Sequence, residues 1–230
     1  TVFGGWSGVS AAKARRSARR SAQFGDASFH RDSAYCCDAY DLDLALNRWS
    51  RVLAPGGEQP SPRACHSAVV WRRGAASTMT IFGGWNGLVC HDDVWECDLE
   101  SGRWTQRVVA ASPSSSSPSA RWGHAAVVLS GRKDTGGTGG GAAQYMLLIG
   151  GFESSGHALS DVWELDLNTG AWREVATSGA APAARLAHSA LALDADADAD
   201  APRVLVVGGF DGRNRNDVYA LDVGSGVWSL

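Results

Sequence analysis

Short apolar runs that end in a pair of glycines recur four times along the chain. They occupy residues 1–5, 80–84, 147–151 and 205–209, and an aromatic residue follows each pair. Short runs bounded by glycine are typical of β-strands, and paired glycines suit places where backbones approach closely or φ is positive. The pattern predicts equivalent strand ends at Gly4, Gly5, Gly83, Gly84, Gly150, Gly151, Gly208 and Gly209.

A second block has a constant internal spacing, because an aspartate lies eleven positions before a tryptophan in every copy. An aromatic residue follows the aspartate by two positions, and the alternation that continues is that of a strand ending in a turn. Constant spacing in four copies indicates a structural repeat. The pairs are Asp38 and Trp49, Asp93 and Trp104, Asp161 and Trp172, and Asp217 and Trp228.

An Arg-x-x-His block, followed by small and apolar residues, occurs three times after proline-containing linkers. We expect its arginines and histidines to be mainly structural, holding the entry to an inner strand, because they recur in every complete repeat. The alternative is that the arginines surround the mouth of a central pore. The residues are Arg63, His66, Arg121, His124, Arg185 and His188.

Together the blocks describe four short strands in a repeat of roughly 50 residues, which is typical of a β-propeller blade. The single domain, residues 1–230, divides into a partial blade 1 (1–53) and complete blades 2 (60–109), 3 (118–176) and 4 (182–230). Insertions interrupt the repeat at 7–31, 112–119, 131–143 and 194–201.

These blocks resemble the kelch motif over most of the chain outside its insertions. The residues that carry the resemblance are the Gly-Gly pairs, the late tryptophans, and Tyr40, Trp95, Trp163 and Tyr219. The Arg-x-x-His and Asp-Val-Trp segments are similar to the subgroup of host cell factor and muskelin. The resemblance implies an all-β kelch propeller whose innermost strand follows Arg-x-x-His and whose outer strand holds the late tryptophan. We therefore expect Val69, Val127 and Leu191 in inner strands. The resemblance also implies a function class, since such propellers mostly bind other proteins and a minority are enzymes.

The first repeat departs from this pattern, because residues 1–53 contain only the last three strands of a blade. About 3.75 four-stranded blades are therefore present. The resemblance implies closure with six or seven blades, and closure removes exposed sheet edges. We expect a fragment of such a propeller. The alternative is a four-bladed ring with one three-stranded blade.

Composition restricts the function classes further. The net charge is −3 and the pI is about 6.0, so no overall field gathers nucleic acid or an anionic membrane. The apolar runs are far shorter than the roughly 20 residues of a membrane helix, and we see no signal peptide. The five cysteines are odd in number and irregularly spaced, which argues against a disulfide framework and slightly favours the cytoplasm; localisation is otherwise unknown.

The insertions are the first place to look for a function, because shared repeat positions are explained by packing. A basic tract in blade 1 could hold an acidic partner or phosphates, or could be a solvated insertion without a binding role. The loops after strands two and four of a blade share one face, here called the first face, and those after strands one and three share the second face. The basic residues are Lys13, Arg15, Arg16, Arg19 and Arg20.

A partner is expected to dock on the first face, where the residues after each Gly-Gly pair vary between blades. Trp122 interrupts an Arg-x-x-His block at a position that is Ala64 or Leu186 elsewhere, so it is either a contact hot spot or a cover for the neighbouring blade. The predicted contact residues are Trp85, Asn86, Trp122, Phe152, Glu153, Phe210, Asp211 and Arg213.

Catalytic chemistry is not indicated. The chain does not match the tyrosine, cysteine and histidine set of kelch-like copper oxidases, and Cys90, His91 and Cys97 lack paired zinc-ligand spacing. We therefore predict a scaffold or adaptor that binds other proteins and has no enzyme activity, cofactor or metal. We expect no membrane contact, and the composition argues against a nucleic-acid partner. The oligomeric state is undetermined. The alternative is part of a kelch-type metalloenzyme or oxidase whose catalytic residues lie in further blades.

Overall fold

The computed structural model describes residues 2–7, 34–52, 57–108, 117–132, 143–193 and 202–230. Every regular element in these ranges is a β-strand. No helix of the described part is long and apolar enough to cross a membrane. The all-β fold predicted from the repeat is confirmed.

The strands of the described residues form four sheets that follow one another along the chain, and each sheet is one blade with antiparallel main strands. In the described part, blade 1 has three strands: β1 (Val2–Ser7), β2 (Ala34–Asp43) and β3 (Arg48–Val52). Blade 2 has β4 (Ser67–Arg73), β5 (Ala76–Phe82), β6 (Val94–Asp98) and β7 (Trp104–Arg107) in that order. Consecutive strands pair in each case, as expected for propeller blades.

Blades 3 and 4 contain the same four strands and one short additional strand each. Blade 3 comprises β8 (Arg121–Trp122), β9 (Ala125–Arg132), β10 (Ala143–Glu153), β11 (Ala158–Asp166) and β12 (Trp172–Glu174). Blade 4 comprises β13 (Ser178–Gly179), β14 (Ser189–Leu193), β15 (Arg203–Phe210), β16 (Asn214–Asp222) and β17 (Val227–Ser229).

Two short strands are added to the four expected strands of blades 3 and 4. β8 pairs with the end of β10, and β13 runs parallel to the outer strand β17. β13 belongs to the linker between blades 3 and 4, so this linker covers the outer edge of blade 4. Covered edges protect sheets from unwanted pairing.

The strand that follows each Arg-x-x-His segment is the innermost one. β4, β9 and β14 lie at one edge of the main ladder of their sheets, and β9 contacts both β4 and β14 across the blade boundaries. These strands contain Val69, Val127 and Leu191, as predicted.

The hydrophobic core lies between blades as three separate clusters, one at each junction. The late tryptophan of a blade packs against the preceding blade, as when Trp172 contacts Phe82 with ring centroids 5.1 Å apart. Trp104 and Trp228 are buried in the same way. Trp71, which has no repeat position, is also a core residue, and its Nε1 donates to Thr80 Oγ1 at 2.8 Å.

The outward sheet faces of blades 1 and 4 are exposed. Tyr40, Leu42 and Trp49 lie on that face of blade 1, and Leu191 and Val207 lie on that face of blade 4. Residues at the junction of two packed blades are buried, so within the described residues these faces of blades 1 and 4 are not packed on each other. This exposure favours a segment of a larger propeller over a four-bladed ring, and the total blade number stays a prediction.

Candidate functional site

The twin glycines hold neighbouring blades together. Gly150 has φ of +59°, and a Cβ there would lie 2.9 Å from Leu159 O and 3.0 Å from Arg185 O of the next blade. The amide of Gly151 donates to Arg185 O at 2.9 Å. A side chain at Gly150 would occupy the space of that neighbouring backbone, which explains the glycine physically.

The arginine of each Arg-x-x-His segment is buried in a cradle of fixed acceptors. In blade 2, Arg63 donates to Ser61 O at 3.0 Å, to Gly83 O at 3.0 Å and to Asp93 Oδ2 at 2.9 Å. Trp95 Nε1 donates to the same Asp93 oxygen at 2.8 Å. The guanidinium thereby joins the linker, the Gly-Gly turn and the third strand of one blade.

The same cradle recurs in blades 3 and 4. Arg121 pairs with Asp161 at 2.6 Å, and Arg185 pairs with Asp217 at 2.6 Å. These arginine side chains are at most 4% exposed, so none of them presents its charge to a central pore. The geometry favours the structural role over the pore-mouth role.

The arginines also determine the charge state of their partners. Burial raises the pKa of Asp93, but the hydrogen bonds and charge of Arg63 outweigh burial, and the net shift is downward. The hydrogen bond from Arg185 lowers the pKa of Asp217. Both carboxylates are therefore ionised at neutral pH and fully used in the cradle.

The histidines of these segments connect adjacent blades. His124 Nε2 lies 2.9 Å from Ser67 Oγ of blade 2, and His188 Nε2 lies 3.1 Å from Ile149 O of blade 3. Burial, followed by the charge of Arg121, lowers the pKa of His124 to about 3, and burial lowers that of His188 to about 4. Both rings are neutral at physiological pH.

Four aromatic rings from three blades form a continuous row on the first face, called the aromatic row below. Tyr35 meets Trp85 edge to face at 6.2 Å between centroids, and Trp85 stacks on Trp122 at 5.9 Å. Trp122 contacts Phe152 at 5.5 Å. All four side chains are partly exposed, which is typical of aromatic residues at interaction surfaces.

Backbone pairing within each blade holds the residues of the aromatic row in place. Ala64 pairs with Trp85, Trp122 with Phe152, and Leu186 with Phe210 at equivalent places in blades 2, 3 and 4. Each Arg-x-x-His segment therefore bonds to the residue after the Gly-Gly pair of its own blade. Phe210 occupies the blade 4 position equivalent to Phe152.

A chain of backbone hydrogen bonds connects the Arg-x-x-His segments around the first face. Ala187 N donates to Gly123 O at 2.7 Å, and Gly123 N donates to Cys65 O at 2.8 Å. All three residues have φ between +55° and +67°, which is costly for alanine and cysteine. In the sequence, this hydrogen-bond chain is marked by a small residue directly before the histidine of each Arg-x-x-His segment, which is glycine in blade 3.

The predicted polar contact residues differ in whether their side chains already have hydrogen-bond or ion-pair partners within the chain. Asn86 Oδ1 accepts from Leu88 N at 3.0 Å and from Val89 N at 2.9 Å, so its side chain caps its own turn. Asp211 is ion-paired with Arg215 at 2.8 Å. Arg213 is exposed at the tip of the turn in blade 4.

Glu153 accepts hydrogen bonds from two serine hydroxyls. Ser119 Oγ donates to Oε1 at 2.8 Å, and Ser155 Oγ donates to Oε2 at 2.7 Å. The hydrogen bond from Ser155, followed by that from Ser119, lowers the pKa of Glu153. This carboxylate is a fixed negative charge beside the aromatic row.

Two features of this face were not predicted. Leu88, which is 90% exposed, extends from the loop after Trp85. Tyr35 adds the first ring of the aromatic row, and no repeat position marks it because it follows the long insertion in blade 1.

The five basic residues of that insertion, Lys13, Arg15, Arg16, Arg19 and Arg20, lie outside the described residues.

Cys90, His91 and Cys97 do not form a metal centre in the described structure. Cys97 is buried between blades 1 and 2, where burial raises its pKa to about 11. Across the ranges that the structure describes, no group of three His, Cys, Asp or Glu side chains is placed to hold a metal ion.

The blades, their cradles and the loop face define a kelch-type β-propeller. A family model described as Attractin/LZTR1 beta-propeller matches residues 23–230. The chain belongs to the Attractin/LZTR1 beta-propeller family.

Curated relatives share this propeller over part of their length. Acyl-CoA-binding domain-containing protein 4 of Arabidopsis thaliana is 30% identical over 80% of the chain and 24% of the relative. Serine/threonine-protein phosphatase BSL2 of the same plant is 32% identical over 63% and 13%. Multiple epidermal growth factor-like domains protein 8 of Homo sapiens is 27% identical over 83% and 6%. The chain spans a quarter or less of these relatives, which combine it with other regions.

Proposed function

We propose that this chain is a non-catalytic scaffold or adaptor that binds another protein through its first face. Kelch-type propellers are typical protein-interaction modules. The finer role, including that of a substrate receptor in a larger complex, and the closer kinship with host cell factor and muskelin, are parts of this proposal.

The observation that carries the proposal is the aromatic row. Tryptophan and tyrosine are enriched at interface hot spots, where a buried ring contributes about 2 kcal/mol or more. Here Trp85 and Trp122 stack across a blade boundary and remain partly exposed. Leu88 and Phe210 add exposed apolar surface to the same face.

Variation along a shared scaffold supports the same conclusion. The buried arginine cradle is alike in blades 2, 3 and 4, whereas the residue beside it is Ala64, Trp122 or Leu186. The tips after each aromatic also differ between blades. A rigid frame with variable tips is the usual arrangement for selective binding loops.

Affinity capture with the full chain tests this function. Trp122→Ala and Arg213→Glu should each reduce recovery of the proteins that the unaltered chain retains. Glu100→Arg, an exposed position in the β6–β7 turn on the second face, is the control and should leave recovery unchanged. Loss of capture with Glu100→Arg alone would show that the wrong face was chosen.

A further inference from the structure

Glu153 has no direct ion pair among the described residues, unlike the four aspartates of the first face that arginines bind. Arg121 donates to Ser119 Oγ at 3.1 Å and lies one hydroxyl away from Glu153, but it is ion-paired with Asp161. Asp93, Asp161 and Asp217 are each bound by a buried arginine, and Asp211 is bound by Arg215. Glu153 accepts only serine hydroxyls among the described residues. Hydroxyl donors orient a carboxylate and favour its ionised form without cancelling its charge.

Glu153 ends β10 directly after Phe152, and its carboxylate is held by Ser119 and Ser155 of blade 3. Its strand neighbour Phe152 packs on Trp122 at 5.5 Å. In blade 2, the backbone of Cys90 pairs with Trp85. Burial raises the pKa of the Cys90 thiol, a hydrogen bond with Ser154 lowers it, and the charge of Glu153 raises it.

An oriented negative charge beside aromatic ring faces suits one chemical group best. A guanidinium is planar, stacks on aromatic rings and forms paired hydrogen bonds with a carboxylate. An acidic ligand would be repelled by Glu153, and an apolar ligand would bury the carboxylate without compensation.

We propose that the aromatic row and Glu153 form a binding site for an arginine side chain of an extended segment in the partner protein. This inference rests on the protein-binding function proposed above and names the chemistry of the partner. The guanidinium stacks on the row and pairs with Glu153, while the flanking peptide lies along the exposed rings toward Leu88.

Selection of random dodecapeptides displayed on phage against the full chain tests the inference, followed by affinity measurements on the synthetic peptides. We expect arginine to be enriched in the selected sequences. Glu153→Gln should weaken their binding about tenfold, as for loss of one charged partner. Trp122→Leu should weaken it by a similar factor, and its fold is safeguarded because leucine occupies the equivalent position, Leu186, in blade 4. Glu100→Gln on the second face should have no effect.

An exchange of charges sharpens the result. Glu153→Arg should prefer a peptide whose arginine is replaced by glutamate over the parent peptide. Peptides that depend on Trp122 but contain no arginine, or that are indifferent to Glu153→Gln, overturn the arginine site and leave the protein-binding function standing. Peptides that are indifferent to Trp122→Leu and are lost with Glu100→Gln overturn both.

Discussion

Blades 1 and 3 place the same residue types in different surroundings. The late tryptophan of blade 3, Trp172, is 4% exposed, whereas its counterpart in blade 1, Trp49, is 55% exposed. The third-strand aspartate of blade 3, Asp161, is held by the buried Arg121, whereas Asp38 of blade 1 pairs with the exposed Arg51.

The difference arises from the neighbours of each blade. Blade 3 packs on blade 2 and contains its own Arg-x-x-His segment, whereas blade 1 has a described neighbour on one side and no such segment. The same repeat position therefore contributes differently to the free energy of unfolding in different blades. Its contribution depends on the surface that lies opposite.

The largest difference should appear when the arginine is removed. Arg121→Ala leaves Asp161 half-buried without its cation, and we expect a loss of about 3–5 kcal/mol in the free energy of unfolding. Arg51→Ala removes the partner of Asp38 at the surface and should cost less than about 1 kcal/mol. Urea unfolding of the full chain followed by tryptophan fluorescence measures both. Equal losses would contradict the comparison.

Removal of the late tryptophan should have the next largest effect. Trp172→Ala empties the space against Phe82 at the junction of blades 2 and 3, and we expect a loss of about 3 kcal/mol. Trp49→Ala should change stability by about 0.5 kcal/mol at most, as for surface substitutions. Thermal unfolding by circular dichroism is the measurement. A large effect of Trp49→Ala would mean that its exposed face is covered in solution.

A smaller effect is expected from the glycine that connects blade 3 to blade 4. Gly150→Ala combines a positive φ with contacts to two carbonyl oxygens, so it should cost about 2 kcal/mol. Gly156→Ala has a positive φ in open space and should cost about 1 kcal/mol. Comparison of the urea midpoints of the two variants separates the cost of backbone strain, which both share, from the cost of the close contact between blades, which only Gly150→Ala has. Equal costs would show that the close contact between the blades at Gly150 does not contribute to stability.

Stability should also change with pH at the junctions that contain histidine. The pKa values of His124 and His188 are lower in the folded chain than the ordinary value of about 6.5, so the unfolded chain binds more protons. Stability is complete above about pH 6.5 and falls as the pH decreases toward the folded value of about 4 for His188. Blade 1 contains no Arg-x-x-His segment and therefore no counterpart of these two histidines.

His188→Gln isolates this contribution. Glutamine retains an N–H donor for Ile149 O but does not titrate, so the slope of stability between pH 6.5 and pH 4.5 should decrease. Urea midpoints at several pH values report the slope. An unchanged slope would show that His188 does not contribute to it.

The repeat architecture could be predicted because it rests on local patterns. Gly-Gly pairs, the spacing from Asp93 to Trp104 and the Arg-x-x-His segments each mark one strand or one turn. The additional strands β8 and β13 were missed, since each consists of two residues and depends on a partner strand far along the chain. The left-handed conformations of Cys65 and Ala187 were missed because only Gly123 signals them by residue type.

The candidate site was predicted in part. Trp85, Trp122 and Phe152 were chosen from their places in the repeat, and the structure brings their rings into contact. Asn86 was predicted as a contact residue, and its side chain also caps its own turn. Tyr35 could not be placed, because the long insertion in blade 1 removes the spacing that identifies equivalent residues.

The sequence by itself determined the kelch repeat and the order of strands within a blade, since these depend on residues close together in the chain. Only the tertiary structure decided which repeat residues are buried, as the contrast between Trp172 and Trp49 shows. It also decided that Arg121 is ion-paired with Asp161, and that Glu153 is held by the hydroxyls of Ser119 and Ser155 without a direct ion pair among the described residues. Burial and charge pairing depend on surfaces from different blades, and their approach in space follows from packing between the sheets.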